Sequence, residues 1–199
     1  MTWANRITIG RILIIPVFVG ALLYYAQSDR HGAPDERLRF LAFGLFLVAA
    51  ISDGVDGYLA RHRNQRTKLG AILDPLADKL LIFSALLSLS LIGFLTLPKF
   101  PLWFPLLVIS RDALLGGGAL TLQVLHHHVE VKPHWTGKLS TVFVFAAICA
   151  ALLKLDVLVH ADVLGWLCRI AGLFTFTSAL FYIRDGTRQF SASEHGKPN

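Results

Sequence analysis

The sequence predicts an all-α integral membrane protein, a bundle of six transmembrane helices. Three observations predict it. Of 199 residues, 54% are hydrophobic and only 16% charged, whereas a soluble domain carries roughly 25% charged residues. Stretches free of Asp, Glu, Lys and Arg run from Ile12 to Ser28, Leu80 to Pro98 and Leu139 to Leu153. Turn signals at Gly32-Ala33-Pro34, at Pro98 to Pro101 and at Pro133 cut the apolar sequence into helix-sized pieces. A soluble helical protein is the alternative, but six long apolar helices in so short a chain leave too little polar surface to cover them.

The spans follow in order. The first, about residues 9–27, comes after Arg6 and Arg11; a signal peptide would look similar, but the spans behind it favour a retained helix. The second, 38–60, and the fourth, 101–126, reach the roughly 20 residues of a membrane crossing only if embedded charges are accepted, and these must then face the bundle interior. The third, 70–96, contains the longest uninterrupted run. The fifth, 138–155, and the sixth, 162–184, complete the bundle. Residues 1–199 read as a single domain, with no internal repeat and no G-x-G-x-x-G.

Lys and Arg number 19 against 13 Asp and Glu, a formal charge of +6. The bases lie mostly between apolar stretches, which points to anionic membrane lipids and not to nucleic acid. Arg6, Arg61, Arg63, Arg66, Lys68, Lys132, Lys138, Arg184, Arg188 and Lys197 fall on one side; Arg30, Arg37, Arg39, Lys99 and Lys154 fall on the other. The bias places both termini in the cytoplasm. Cys149 and Cys168 stand in apolar runs without metal or disulfide spacing.

The chemistry concentrates between Asp53 and Asp78. Asp53 and Asp56 are three residues apart, Asp74 and Asp78 four apart, so each pair shares one face of its helix. Counted from Arg61 and Lys68, Asp56 and Asp74 lie about 7 and 9 Å into their spans, with Asp53 and Asp78 one turn deeper. Four carboxylates at matching depths need cations, since even one ionised group at mid-membrane costs about 2.5–3.5 kcal/mol. Carboxylate oxygen without clustered Cys or His suits Mg²⁺, Mn²⁺ or Ca²⁺, and a pair of such ions clamps a phosphoryl group undergoing displacement. Gly57 and Gly70 lie one turn from Asp53 and Asp74, where a missing side chain lets a ligand approach, and Arg61 suits a phosphate. The pieces describe a nucleotide or diphosphate site.

The complete pattern D-x2-D-G-x2-A-R-x8-G-x3-D-x3-D resembles the signature of the CDP-alcohol phosphatidyltransferase family, and Asn5-x2-Thr8-x2-Arg11 is similar to that family's first-helix pattern. The resemblance weakens after the fourth span. It implies a six-helix membrane enzyme, often a homodimer, whose site opens to the cytoplasm and the adjoining leaflet of, for example, a bacterial inner membrane. It implies two divalent cations, Mg²⁺ or Mn²⁺, held by Asp53, Asp56, Asp74 and Asp78. Asp78 would also be the general base, and Asp56, Gly57, Ala60, Arg61 and Gly70 would receive the CDP moiety of CDP-diacylglycerol.

Arg111, in the fourth span, and Lys138, at the mouth of the fifth, are candidate contacts for an anionic acceptor. Mutual neutralisation of Arg111 and Asp112, and a cytoplasmic flank at Lys138, are the plainer explanations. With them the chain most resembles the branch that uses glycerol 3-phosphate and forms phosphatidylglycerophosphate. Asp112 and Ser140 depart from that branch, which has Glu and a second Lys there, and resemble the cardiolipin-forming branch with phosphatidylglycerol as acceptor. His126, His127, His128 and His134 do not make a convincing metal site, because consecutive helical residues point apart. Paired intramembrane carboxylates also mark cation or proton transporters, but transport does not call for Gly57, Ala60, Arg61 and Gly70 at these offsets.

Overall fold

The computed structural model describes the backbone of residues 3–63, 68–125 and 135–195, and the side chains of 8–52, 76–117 and 135–184. The described residues form α1 (Trp3–Arg30), α2 (Glu36–Arg63), α3 (Lys68–Leu91), α4 (Trp103–Leu125), α5 (Trp135–Leu152), the short α6 (Leu155–Val159) and α7 (Val163–His195), with no strand among them. The class is all-α as expected. Three helical segments, Thr8–Arg30, Trp135–Leu152 and Val163–Arg184, are long and apolar enough to cross a membrane; α2, α3 and α4 extend beyond the described side chains. Large apolar side chains such as Leu13, Tyr24, Leu106, Val142, Leu173 and Phe176 are exposed along these helices, the outward pattern of a membrane protein.

The turns form where the sequence puts them. Gly32 ends α1 at φ 76°, the left-handed conformation that glycine adopts without a Cβ penalty. Ala33 N–H then donates to the Ser28 carbonyl (3.2 Å) and Gly32 N–H to that of Asp29 (3.1 Å), the paired bonds of a Schellman end. Asp35 caps α2 by accepting from Arg37 N–H at 3.0 Å. The third helix is shorter than its expected span, stopping at Leu91. Residues 92–102 are apolar enough to look helical, and Phe94, Leu97 and Phe100 are buried, but as a loop. The short α6 was also not expected; left-handed Lys154 and His160 bound it.

The chain divides into two compact units, residues 1–100 with 148–161 and residues 101–147 with 162–199. In the first, α1 packs on both α2 and α3. Phe18, Leu22 and Tyr25 of α1, Phe46 and Ala49 of α2, and Ala85, Leu86 and Leu89 of α3 are wholly buried. At one end of this unit a polar network replaces apolar packing. Asp29 Oδ2 accepts from Leu95 N–H at 2.6 Å and Thr96 N–H at 3.0 Å. Tyr25 and Thr96 hydroxyls lie 2.6 Å apart, and Arg30 Nε donates to the Gly93 carbonyl at 3.2 Å. Arg39 pairs with Glu36 and donates to the Leu152 carbonyl at 2.6 Å, while Lys154 meets Glu36 at 2.7 Å. Burial alone would raise the Glu36 carboxyl, but the Lys154 ammonium and the Arg39 guanidinium hold it below its usual range.

Asp29 thus accepts from two loop amides, and an unmade buried hydrogen bond costs about 1–3 kcal/mol. Asp29→Ala should therefore destabilise the protein by about 2 kcal/mol or more, read as a fall of several degrees in thermal unfolding in detergent. Asp29→Asn, which keeps one carbonyl oxygen, should lose less. An unchanged midpoint for the alanine variant would show that the loop is held by its buried aromatics instead.

In the second unit α4 packs on α7. Gly172 admits the Trp103 ring, 2.9 Å from where a Cβ would stand, and the Phe143 and Phe174 rings stack at 5.6 Å. Gly116 and Gly117 have open space where a Cβ would be, among the described residues. Trp103 and Trp135 are exposed near helix starts, consistent with an interfacial belt. The histidines at 126–128 and 134 and the turn expected at Pro133 lie outside the described residues.

Candidate active site

Two buried stripes lead to the carboxylate positions. On α2, Ala42, Phe46 and Ala49 are wholly buried, and the same alternation of four and three residues carried forward reaches Asp53, Asp56 and Ala60. On α3, Leu89, Ala85 and Leu81 are buried, and the spacing carried back reaches Asp78, Asp74 and Gly70. The backbone is helical throughout both runs. Since α2 and α3 contact one another and follow one another in the chain, helical register would carry the two carboxylate pairs to the same end of the first unit.

The side chains of Asp53, Asp56, Gly57, Ala60, Arg61, Gly70 and Asp74 lie outside those described, so their expectations rest on helical register. Asp78 is described: it is partly buried, it makes a polar interaction, and it stands beside the buried Ala77, Leu81 and Ile82. Among the described residues no group of three or more His, Cys, Asp or Glu comes together.

Burial adds a residue to which the opening pattern alone gives no role. Arg11 is 2% exposed and Thr8 1%, and both continue the α1 stripe of Tyr25, Leu22 and Phe18. The Phe18 and Phe46 rings lie 5.9 Å apart. Seven residues of rise, about 10 Å, separate Phe18 from Arg11 and Phe46 from Asp53 in opposite chain directions, so helical register would bring the Arg11 position level with that of Asp53. The usable signal in the sequence was that Thr8 and Arg11, three apart, fall on the inward face of an otherwise apolar helix.

The second unit contains its own buried polar group. Arg111 is 8% exposed; its Nη1 pairs with Asp112 at 2.6 Å and its Nη2 donates to Ser178 Oγ at 3.0 Å. Its Nε is buried and has no hydrogen-bond partner. Mutual neutralisation with Asp112 is therefore real but leaves donors unused. Lys138 is exposed at the start of α5, next to Gly137, which lies against Arg111. Thr175 gives its hydroxyl proton to the Ala171 carbonyl at 2.7 Å, so Ser140 donates to Thr175, 2.6 Å away. Ser140 is thus part of an α5–α7 contact. Neither Ser178 nor Gly137 was singled out by the sequence, because nothing in their local pattern foretells a neighbour on α4.

The sequence matches the CDP-alcohol phosphatidyltransferase family over residues 1–181, an extent that reaches into α7. It is 38% identical over 157 residues to a protein of Mycobacterium tuberculosis named probable phosphatidylglycerophosphate synthase, covering 79% of this chain and 68% of that one. It is 33% identical over 186 residues to a Bacillus subtilis protein named CDP-diacylglycerol--glycerol-3-phosphate 3-phosphatidyltransferase, covering 89% and 91%. An Escherichia coli protein of the same name is 30% identical over 181 residues, covering 89% and 90%. With the family's carboxylate signature complete on α2 and α3 and the match spanning nearly the whole chain, this protein is a member of the CDP-alcohol phosphatidyltransferase family and an enzyme of that class.

Proposed function

We propose that the protein transfers a phosphatidyl group from CDP-diacylglycerol to the hydroxyl of glycerol 3-phosphate, forming phosphatidylglycerophosphate and releasing CMP. The observation that carries the reaction is the complete set of Asp53, Asp56, Asp74 and Asp78 at the ends of two buried helix stripes. The names of the Bacillus and Escherichia relatives support the acceptor. Arg111, a buried cation with an unpartnered Nε, is its anchor, and the exposed Lys138 is a second contact.

The acceptor hydroxyl attacks the phosphorus that carries diacylglycerol, the new P–O bond forms, and the bond to the CMP oxygen breaks. Asp78 takes the hydroxyl proton. Asp56, Gly57, Ala60, Arg61 and Gly70 receive the CDP portion. The donor set is all carboxylate oxygen, which fits hard cations; Asp53, Asp56, Asp74 and Asp78 would hold two Mg²⁺ or Mn²⁺, which supply neutralisation of the diphosphate charge.

The chain lies in the membrane as six spans, with both termini and the site at the cytoplasmic face of a bacterial inner membrane, as a homodimer. The fold supports this orientation. Of the basic residues assigned to the far side, Arg39 and Lys154 are both paired with Glu36, so fewer unpaired positive charges oppose the cytoplasmic excess.

The test is CMP release by detergent-solubilised protein with CDP-diacylglycerol and Mg²⁺ or Mn²⁺, with glycerol 3-phosphate, phosphatidylglycerol, inositol 1-phosphate and serine offered separately. Release is expected with glycerol 3-phosphate. Dependence on phosphatidylglycerol would make the protein a cardiolipin synthase, the reading that Asp112 and Ser140 favour. No CMP from any acceptor, with no binding of CDP-lipid, would reopen transport.

A further inference from the structure

The Arg111 guanidinium is confined from three helices. Asp112, on α4 itself, takes Nη1 at 2.6 Å, and Ser178 on α7 takes Nη2 at 3.0 Å. Gly137, in the first turn of α5, lies against the same nitrogen: a Cβ there would overlap Nη2, and would stand 3.3 Å from Ser178 Oγ and 3.6 Å from Arg111 Cζ. What the missing side chain admits is therefore the charged tip of Arg111. Gly137 is itself buried, and its φ is not among the positive values, so backbone conformation does not require glycine at this position. Space for the guanidinium does.

We propose that Gly137 and Ser178 are positioning residues for Arg111, fixing the plane of its guanidinium so that the donors left free by Asp112 and Ser178 meet the anionic group of the acceptor alcohol. The inference rests on the reading of Arg111 as the acceptor anchor. A guanidinium recognises a phosphate through a planar fork of N–H groups, so its orientation matters as much as its charge. A side chain at residue 137 would push aside the flexible end of Arg111 and leave the helices in place. The expected consequence is a loss of acceptor recognition with little loss of stability.

The experiment is steady-state kinetics on the full-length protein in detergent with glycerol 3-phosphate and CDP-diacylglycerol varied separately. Gly137→Ala, Ser178→Ala and Arg111→Ala are compared, with each of the first two also combined with Arg111→Ala. Gly137→Ala should raise the acceptor KM about tenfold, with the CDP-diacylglycerol KM and the unfolding midpoint nearly unchanged. Ser178→Ala, which removes one hydrogen bond and adds no bulk, should raise it about threefold. In the Arg111→Ala background neither should have a further effect, because residues acting through one group are not additive.

If Arg111→Ala raises the acceptor KM but Gly137→Ala and Ser178→Ala do not, the positioning role is overturned and the acceptor anchor stands. Equal losses from Gly137→Ala with and without Arg111 would also overturn it, since the glycine would then act through helix packing. If Arg111→Ala itself leaves the acceptor KM unchanged, the anchor reading fails first and the positioning role fails with it.

Discussion

Asp53→Asn and Asp74→Asn should each lower CMP release by about a thousandfold or more, the scale on which removing a group that stabilises transition-state charge is felt. Each substitution keeps the size and helical position of the side chain and removes one negative charge. A fold held together by these residues would lose stability. A metal site should behave differently: without added metal the variants should unfold at the same or a higher temperature than the parent, because one member of a crowded set of carboxylates no longer repels the others. The parent should gain stability as Mn²⁺ or Mg²⁺ is added, by mass action on the folded state, and the variants should gain less. Titrating both metals into the unfolding and CMP-release assays reads all of this from the same samples. Normal turnover by either variant would remove the two-metal arrangement, and full metal-dependent stabilisation of an inactive variant would move that residue out of the metal site and into substrate binding.

The helices and the carboxylate register were legible because both depend on local periodicity. Ala42, Phe46 and Ala49 repeat on the inward face of α2, and the same count leads to Asp53 and Asp56 without knowledge of any neighbour. The Gly32 turn was legible for a similar reason, since a left-handed helix end followed by proline is a local signal. What escaped depends on contacts between residues far apart in the chain. Apolar sequence at 92–97 reads as continuing helix. It forms a buried loop because Asp29, 66 and 67 residues earlier, accepts the amides of Leu95 and Thr96. Arg39 looks like one more positive charge on the far side until its partners, Glu36 and the carbonyl of Leu152, 113 residues away, are in view. Arg111 was legible as an embedded charge, whereas Gly137 and Ser178, which shape its surroundings, carry no charge or motif to mark them.

Asp78→Asn is expected to separate catalysis from binding. If Asp78 takes the proton from the acceptor hydroxyl, its amide variant should lose about 10²–10⁴-fold in turnover, the usual contribution of a general base. The three other carboxylates remain to hold cations and the CDP moiety, so CDP-diacylglycerol should still stabilise the variant against unfolding, less than it does the parent but measurably. Asp53→Asn and Asp74→Asn should lose both effects together. The position of Asp78 supports this division: it lies deepest of the α3 pair, beside the buried Ala77, Leu81 and Ile82, where the lipid-bearing phosphorus would lie if the nucleotide occupies the cytoplasmic mouth. A pH profile sharpens the test. In the parent, kcat/KM should fall on the acid side as the base is protonated; in Asp78→Asn the residual rate should no longer follow that titration. Should Asp78→Asn instead lose lipid-induced and metal-induced stabilisation as completely as Asp74→Asn, Asp78 would be a metal ligand only, and the proton would have to leave by another group.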